Sequence, residues 1–252
     1  MINIVIPMAG RGSRFKEAGY KDPKPLIKIN RKFMIEGVID NLTPKNNNAH
    51  FIFICQQDHL NEYDLEKKLN SRIKNFTIIA IDEITEGAAC TVLKAEKYIN
   101  NNSELMIANS DQWVDTDIDQ YISHMSKNNL DGLIMTMNAN DSKWSYAKEN
   151  IITNLVEKVE EKKVISNEAT VGIYNFKYGS DFCSAANQMI DLEKKINGEF
   201  YVAPVYNELI GLKKRIGIFN IGSLNNGMYG LGTPEDLNYY LDSNLLFPQK
   251  EQ

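Results

Sequence analysis

The chain has 252 residues, of which 43% are hydrophobic and 24% are charged, and its formal net charge at pH 7 is −5. This composition is typical of a globular protein with a sizeable core, and no apolar run is long enough to span a membrane. The acidic balance argues against a nucleic-acid partner, and the three cysteines and three histidines are too scattered for a disulfide framework or a zinc site.

The first predicted element is a short strand rich in β-branched residues, from Ile2 to Ile6. Because the chain enters this strand at once, without the architecture of a signal peptide, we expect a cytoplasmic protein with no membrane partner. The strand is followed by a loop that contains Gly10 and Gly12, where the lack of a Cβ would let backbone N–H groups approach a ligand closely.

This glycine loop begins a strongly cationic stretch. Eight lysines and arginines lie between residues 11 and 32, against only Glu17 and Asp22. A glycine loop after a strand, flanked by cations, is typical of phosphate binding. The Gly-Lys-Ser/Thr ending of a P-loop is absent, and Phe15 occupies the third glycine position of a dinucleotide-binding fingerprint.

Predicted strands and helices alternate along the first half of the chain. Strands are expected at 51–55, 77–81, 105–108 and 132–137. Helices are expected at 33–42, at 58–69, from the end of the turn at 86–89 to about residue 98, and at 118–126. This alternation predicts a parallel sheet with helices on both faces. Because ligands of such sheets bind at the carboxyl ends of the strands, the glycine loop, the turn at 86–89 and Asp111 should share one edge.

The second half has a different pattern, with alternating polar and apolar residues that favour a partly antiparallel addition to the sheet. Strands are expected at 154–160, 164–176 and 215–221, and helices at 180–196 and 202–212. A last helix should begin after Thr233, which is a good N-cap followed by Pro234, and run to about Leu245.

The segment G-R-G-S-R-F at residues 10–15, followed by Lys24-Pro25, resembles the signature loop of the sugar-phosphate nucleotidyltransferases. The longer wording P-M-A-G-R-G-S-R-F is similar to a subgroup tied to bacterial surface polysaccharides. The resemblance continues at Asp111, at Glu161-Lys162, in V-G-I-Y-N-F at 171–176 and in G-T-P-E-D-L at 232–237.

This resemblance implies an α/β fold, a Rossmann-like three-layer sandwich with a mostly parallel, mixed central sheet. It implies a single domain over residues 1–252, with a nucleotide-binding half to about residue 140 and an acceptor-binding half from about residue 141. The implied reaction is a Mg²⁺-dependent transfer from a nucleoside triphosphate to a phosphorylated small molecule, with release of pyrophosphate.

By the same resemblance, three residues should carry the reaction. Arg14 would neutralise the leaving pyrophosphate, Lys24 would contact the reacting phosphate, and Asp111 would bind magnesium through a hard carboxylate oxygen. The nucleotide should be held by Met8, Ala9, Gly10, Arg11, Gly12, Ser13, Gln57, Glu86, Gly87, Ala88, Ala89 and Ser110.

The acceptor should be held by Tyr146, Glu161 and Lys162, with Trp144 in the same segment. Cytosine is the favoured base, while uracil and thymine stay open. Relatives often carry an aspartate as a second metal ligand where this chain has Gly230. Asn225, Asn226 or Glu199 could replace it.

Two other classes of function compete with this interpretation. An NAD-linked oxidoreductase would use Gly10 and Gly12 as a dinucleotide turn, but the third glycine and an acidic residue closing the second strand are missing. A non-catalytic nucleotide-binding protein would keep the fold without a complete metal site, and Gly230 gives that alternative its weight.

Overall fold

The computed structural model describes residues 1–243. Its strands are β1 Ile2–Pro7, β2 Lys28–Ile29, β3 Lys32–Phe33, β4 Ala49–Gln56, β5 Phe76–Ile81, β6 Glu104–Ala108, β7 Gln112–Val114, β8 Gly132–Asn138, β9 Ser145–Asn150, β10 Leu155–Glu161, β11 Glu168–Phe176, β12 Ile216–Leu224 and β13 Gly227–Gly230. Its helices are α1 Ser13–Glu17, α2 Met34–Leu42, α3 Gln57–Tyr63, α4 Leu65–Arg72, α5 Ala88–Leu93, α6 Glu96–Ile99, α7 Ile118–Lys127, α8 Gly179–Asp191, α9 Val205–Gly211 and α10 Pro234–Asp242, with a 3-10 turn at Lys24–Leu26.

One large mixed sheet organises the molecule. Its strands lie in the order β5-β4-β1-β6-β11-β8-β12-β13-β7, with β9 and β10 attached beside β11. Strand β1 is parallel to β4 and β6, whereas β11 runs antiparallel to β6 and β8. The predicted α/β fold with a mostly parallel, mixed sheet is therefore confirmed.

The sheet is covered on both faces, which explains the apolar composition of its first strand. Ile4 and Ile6 pack into the core on one face and Val5 packs into the core on the other, and all three are fully buried. Strands that are buried on both sides read as continuous apolar runs. Helices α2 and α7 contribute to the first core, and α8 and α9 contribute to the second.

A smaller third core joins the beginning of the chain to its end. It contains Phe15 from α1, Trp113 from β7, Leu231 after β13, and Leu237 and Tyr240 from α10. These residues fix the glycine loop, the end of β6 and the C-terminal helix against one another.

Some predicted elements are interrupted or displaced in the structure. The helix expected at 58–69 is two helices, because Asp64 has a left-handed backbone with φ of 49°. The helix expected at 180–196 ends at Asp191, and β9 was not predicted. The predicted cap at Thr233 is confirmed, since its hydroxyl accepts from the Asp236 N–H, while the predicted end near Leu245 lies outside the described residues.

Within residues 1–243 the structure has no helix with the length and apolar character that crossing a membrane would require.

Candidate active site

The glycine loop, residues 8–13, is anchored at both ends and open in the middle. The Met8 N–H donates to Ile54 O at 2.8 Å, and the Gln56 side chain donates to Ala9 O at 2.6 Å. Gly10 is exposed, as are Arg11, Ser13 and Arg14. At Gly12 the backbone turns with φ of 60° to begin α1, whose Phe15 is buried in the third core. The loop and the first turn of α1 therefore expose backbone and two arginines, Arg11 and Arg14, to solvent, while the flanking residues are held in place.

Lys24 and Asp111 form the central contact of the site. Lys24 Nζ lies 2.7 Å from Asp111 Oδ2, although the residues are 87 positions apart. The two side chains are 24% and 23% exposed, so the pair is accessible from outside. Lys24 is positioned by the buried Pro25 and Leu26 of its 3-10 turn, and its Cβ lies 3.4 Å from an ideal Cβ built on Gly12.

Asp111 is positioned by the C-terminal segment as well as by β6. Its backbone carbonyl accepts from the Leu231 N–H at 2.8 Å. An ideal Cβ on Gly232 would lie 2.6 Å from Asp111 Oδ2, so a side chain there would displace the carboxylate. The neighbouring Ser110 is buried.

The turn at residues 86–89 is predicted to hold the nucleotide, and we call it the base turn. It lies after β5 at the same edge of the sheet. At Gly87 φ is 131°, and an ideal Cβ would lie 2.5 Å from Phe200 N, so only glycine fits. The Phe200 N–H donates to Glu86 O at 2.8 Å, and the Ala89 N–H donates to Phe200 O at 3.0 Å. The Glu86 carboxylate pairs with Lys195 at 2.9 Å. No local pattern predicts the contacts of Phe200 and Lys195 with this turn, because both come from a segment more than one hundred residues later.

Gln57 is the first residue of α3, and its side chain is hydrogen-bonded within that helix. Its side-chain amide donates to Asn61 Oδ1 at 3.1 Å, one turn along α3. The neighbouring Gln56, at the end of β4, is the glutamine that contacts the glycine loop. The step from strand to helix between these two residues turns their side chains in different directions.

A cavity of about 230 Å³ lies beside the base turn, and we call it the Glu161 cavity. It is bounded by Ala88 of that turn and by residues from five later segments, including Asn109, Trp144, Ser145, Glu161, Tyr174 and Tyr201. Gly172, with φ of 79°, also lines it, and an ideal Cβ there would lie 2.2 Å from Asn109 Nδ2.

Glu161 is the buried charge of this cavity, with 8% of its surface exposed. Its carboxylate accepts a short hydrogen bond from the Ser145 hydroxyl. Burial raises the pKa of the Glu161 carboxyl, and the Ser145 hydrogen bond opposes that shift only in part. The Tyr174 and Thr170 hydroxyls, 3.0 Å apart, complete a polar wall that can exchange hydrogen bonds with a ligand.

Lys162 reaches the rim of the same cavity through Tyr201. Its backbone is left-handed, with φ of 54°, and its ammonium donates to the Tyr201 hydroxyl at 2.8 Å. The ammonium also lies 4.9 Å from the centre of the Tyr201 ring. Lys162 is therefore an exposed cation held at the entrance to the cavity.

Tyr146, expected to hold the acceptor, does not line the Glu161 cavity. This side chain is fully buried in the core on one face of the sheet, and its hydroxyl donates to Asp141 O at 2.8 Å. Side chains alternate between faces along a strand, so Ser145 faces the Glu161 cavity while Tyr146 faces away. Trp144 and Ser145 line the cavity in its place.

The structure also locates Asn225, Asn226 and Glu199, the residues suggested as a second metal ligand. Asn225 and Asn226 form the turn before β13. The backbone carbonyl of Gly227, the first residue of β13, accepts from the Asp115 N–H. The two asparagines therefore lie at the opposite end of β13 from Gly230. Glu199 is exposed on the segment that holds the base turn. No group of three or more acidic, histidine or cysteine side chains that could hold a metal ion occurs among residues 1–243.

Comparison with known proteins supports the resemblance found in the loop. The profile of the family described as "Nucleotidyl transferase" matches residues 4–196. The bifunctional protein GlmU of Methanococcus maripaludis is 24% identical over 236 residues, 94% of this chain and 53% of that protein. GlmU of Methanococcus aeolicus is 25% identical over 253 residues, 96% of this chain and 54% of that protein. The chain thus spans about half the length of the curated relatives it matches.

Solved structures agree with the fold. The nucleoside-diphosphate-sugar pyrophosphorylase from Vibrio cholerae RC9 has a TM-score of 0.76 at 27% identity and covers 95% of this chain and 99% of its own. The inositol-1-phosphate CTP transferase from T. maritima has a TM-score of 0.72 at 14% identity, covering 97% of each chain, which shows the fold alone. Because the family profile covers well over half of the chain, including the glycine loop, Asp111 and Glu161, this protein belongs to the nucleotidyl transferase family.

Proposed function

We propose that this protein transfers the cytidylyl group of CTP to the phosphate of a small acceptor, with L-glutamine phosphate as our first choice, and releases pyrophosphate. This is the activity of a CTP:phosphoglutamine cytidylyltransferase of capsular phosphoramidate biosynthesis, which the loop wording P-M-A-G-R-G-S-R-F resembles. The observation that carries the proposal is the 2.7 Å contact between Lys24 and Asp111, because it joins the cationic stretch at residues 11–32 to the carboxylate that we assign to the metal.

The chemistry proposed needs no protein nucleophile. An oxygen of the acceptor's phosphate attacks the α-phosphorus of CTP, the bond from that phosphorus to the β-phosphate oxygen breaks, and pyrophosphate leaves with the electron pair. A phosphate dianion is already nucleophilic, so positioning and charge neutralisation carry the rate. Arg14 is exposed in the first turn of α1, and in this proposal it neutralises the leaving pyrophosphate, while the partly exposed Lys24 contacts the oxygens of the reacting phosphate.

A magnesium ion fits the residues at this edge. Asp111 offers a partly exposed carboxylate, and the missing Cβ of Gly232 leaves that carboxylate its space. Mg²⁺ is usually bound by one or two carboxylates together with substrate phosphates and water, so a group of three protein ligands is unnecessary. When bound, the ion would offset the charge of the phosphate oxygens. Lys24 would then exchange its contact with Asp111 for one with the substrate.

The acceptor is proposed to occupy the Glu161 cavity. Its phosphate would point toward Lys24, and its far end would donate hydrogen bonds to the Glu161 carboxylate, which receives one from Ser145. A buried carboxylate gains most from a donor that replaces the lost water, such as an ammonium or hydroxyl group. The base is proposed to lie against Gly87, Ala88 and Ala89.

A pyrophosphate-release screen tests the proposal. Four nucleoside triphosphates are crossed with L-glutamine phosphate, phosphocholine and several hexose 1-phosphates in the presence of Mg²⁺. We expect release with CTP and L-glutamine phosphate, at a rate at least tenfold above any other pair. Release with a different pair would overturn the substrate assignment, and no release from any pair would overturn catalysis.

A sugar 1-phosphate is the second candidate acceptor. It is favoured by the similarity to the nucleoside-diphosphate-sugar pyrophosphorylase from Vibrio cholerae, at 27% identity over 95% of this chain. Release of pyrophosphate with a hexose 1-phosphate in the same screen would establish it. Release with any pair would exclude the non-catalytic alternative that Gly230 suggests.

A further inference from the structure

Two glycines near the end of the chain leave room for two carboxylates. An ideal Cβ on Gly232 would lie 2.6 Å from Oδ2 of Asp111, and one on Gly230 would lie 3.4 Å from Oδ2 of Asp236. Both carboxylates therefore lie against the same three-residue segment. One comes from the end of β6 and the other comes from α10, so the sequence gives no hint that they are neighbours.

This segment contacts Asp111 and is linked through Gln112 to the wall of the Glu161 cavity. Gly230 is paired with Gln112 across β7 and β13, and Leu231 is hydrogen-bonded to Asp111. Gln112 Oε1 lies 2.7 Å from an ideal Cβ on Gly172, which lines the cavity. In the proposed reaction, a metal ion that touches the α-phosphate would lie between the nucleotide and its acceptor, and Asp111 would bring it beside this segment.

Gln112 provides a second, independent sign that a ligand belongs here. Its side chain is 5% exposed, and within the described part of the chain its Nε2 has no hydrogen-bond partner. A buried amide donor without a partner is costly, so a partner from outside the chain is expected. A phosphate oxygen or a metal-bound water would accept from it.

Asp236 itself has no structural partner that would hold its carboxylate. Its backbone N–H donates to the Thr233 hydroxyl at 3.1 Å, but its carboxylate makes no hydrogen bond or ion pair with any residue from 1 to 243. A carboxylate in the first turn also stabilises a helix through its dipole. The adjacent Glu235 has the same charge in the same turn and is exposed, so it separates the dipole effect from a ligand role.

We propose that Asp236 supplies the second carboxylate of the metal site, from α10, in place of the side chain that Gly230 lacks. The inference rests on the proposed function, because it needs a nucleotide and its divalent cation at Asp111. It replaces Asn225, Asn226 and Glu199 as the source of that ligand. Since Gly230 does not have a positive φ, an aspartate can be built there, which allows the carboxylate to be moved from one position to the other.

The test measures Mn²⁺ binding to the protein by the loss of the free-ion electron paramagnetic resonance signal beyond the loss that the nucleotide alone causes, with α,β-methylene-CTP present so that no reaction occurs. Asp236→Ala should weaken Mn²⁺ binding at least tenfold, whereas Glu235→Ala should change it less than twofold. The double variant Gly230→Asp/Asp236→Ala should return to within about threefold of the wild type, because the carboxylate is restored from the neighbouring position. Circular dichroism melting checks that each variant folds.

The outcomes separate this inference from the proposed function. If wild-type protein takes up no Mn²⁺ with the α,β-methylene analogue of any of the four nucleotides, the proposed function fails. If wild-type protein binds the ion and a folded Asp236→Ala variant binds it equally well, only the assignment of Asp236 fails. Equal loss in the Glu235→Ala and Asp236→Ala variants would show a helix-dipole effect and would also overturn the assignment.

Discussion

The sheet edge that carries Arg14, Lys24 and Asp111 is predicted to bind the nucleotide, and it differs from the Glu161 cavity in the exposure of its charged groups. At the edge, the exposed Arg14 and the partly exposed pair of Lys24 and Asp111 face water and leave the core undisturbed. In the cavity, Glu161 and Tyr174 are buried and hydrogen-bonded to Ser145 and Thr170. Charges at the edge can therefore be changed at little expense to stability, whereas changes in the cavity alter both binding and folding.

The carboxylate of Asp40 is an example of a charged group with a structural role in the same molecule. The Asp40 side chain is 6% exposed and pairs with both Lys32 and Arg72, while Asp111 pairs with Lys24 and is 23% exposed. A carboxylate enclosed by two cations stabilises the fold. A carboxylate with one partner and an open side remains available to a ligand.

The largest effect is expected from Asp111→Ala. Loss of the carboxylate that we assign to the metal should lower kcat/KM by roughly 10²–10³, because charge neutralisation carries the proposed reaction. The melting temperature should change little. Asp40→Ala is the matched control and should lower the free energy of unfolding by about 3 kcal/mol, since it removes a buried carboxylate that pairs with Lys32 and Arg72, while activity per folded molecule stays near wild type. Near-normal turnover of folded Asp111→Ala would refute the role given to the edge.

The next effect is expected from Arg14→Ala. Removing this exposed cation from the first turn of α1 should lower kcat/KM by about 30–100-fold, with no loss of stability, if the guanidinium neutralises the leaving pyrophosphate. Steady-state pyrophosphate release measures it. Lys67→Ala removes an exposed cation from α4 and should leave the rate unchanged. A similar, small decrease in both variants would show that Arg14 contributes only through the general charge of the surface.

A smaller effect, on folding as well as binding, is expected from Gly172→Ala. Its positive φ and the 2.2 Å approach of Asn109 Nδ2 to an ideal Cβ predict a loss of about 2 kcal/mol in the free energy of unfolding, measured by urea denaturation. Gly10→Ala is the control, because Gly10 has no atom within 4 Å of an ideal Cβ and no positive φ. If both variants were equally stable, the distinction between a rigid cavity and an open loop would be wrong.

The smallest effects are expected from Glu161→Gln, which should weaken binding of the acceptor but increase stability. The KM for the acceptor should rise about tenfold, because a charged acceptor of hydrogen bonds is lost. Stability at neutral pH should rise by about 1 kcal/mol, or roughly 2–4 °C in melting temperature, because an ionised buried carboxylate is no longer required.

The pH dependence of that gain follows from the raised pKa of Glu161. The folded protein holds this proton more tightly than the unfolded chain, so wild-type stability falls as pH rises from the ordinary glutamate pKa through the raised one. Glu161→Gln should remove that part of the fall, and its advantage should disappear below the ordinary glutamate pKa. Melting curves from pH 4 to pH 8 measure it, and a constant difference across that range would contradict the assignment.

The local signals of the sequence determined much of the first half. The β-branched run at Ile4–Ile6, the glycine loop and the alternation of strands and helices specify a parallel sheet, and in such a sheet the strand ends converge on one edge. Local chemistry also determined the start of α10, because the Thr233 hydroxyl and Pro234 act within a single turn of helix.

Only the tertiary structure decided which distant groups meet. Strand alternation turned Tyr146 into the core and Ser145 into the Glu161 cavity, and a one-residue shift in register would have exchanged them. Phe200 completes the base turn, and Asp236 lies beside Gly230, through contacts between segments that no local pattern connects. Residue type specifies what a side chain can do, but packing over long sequence separations decides what it faces.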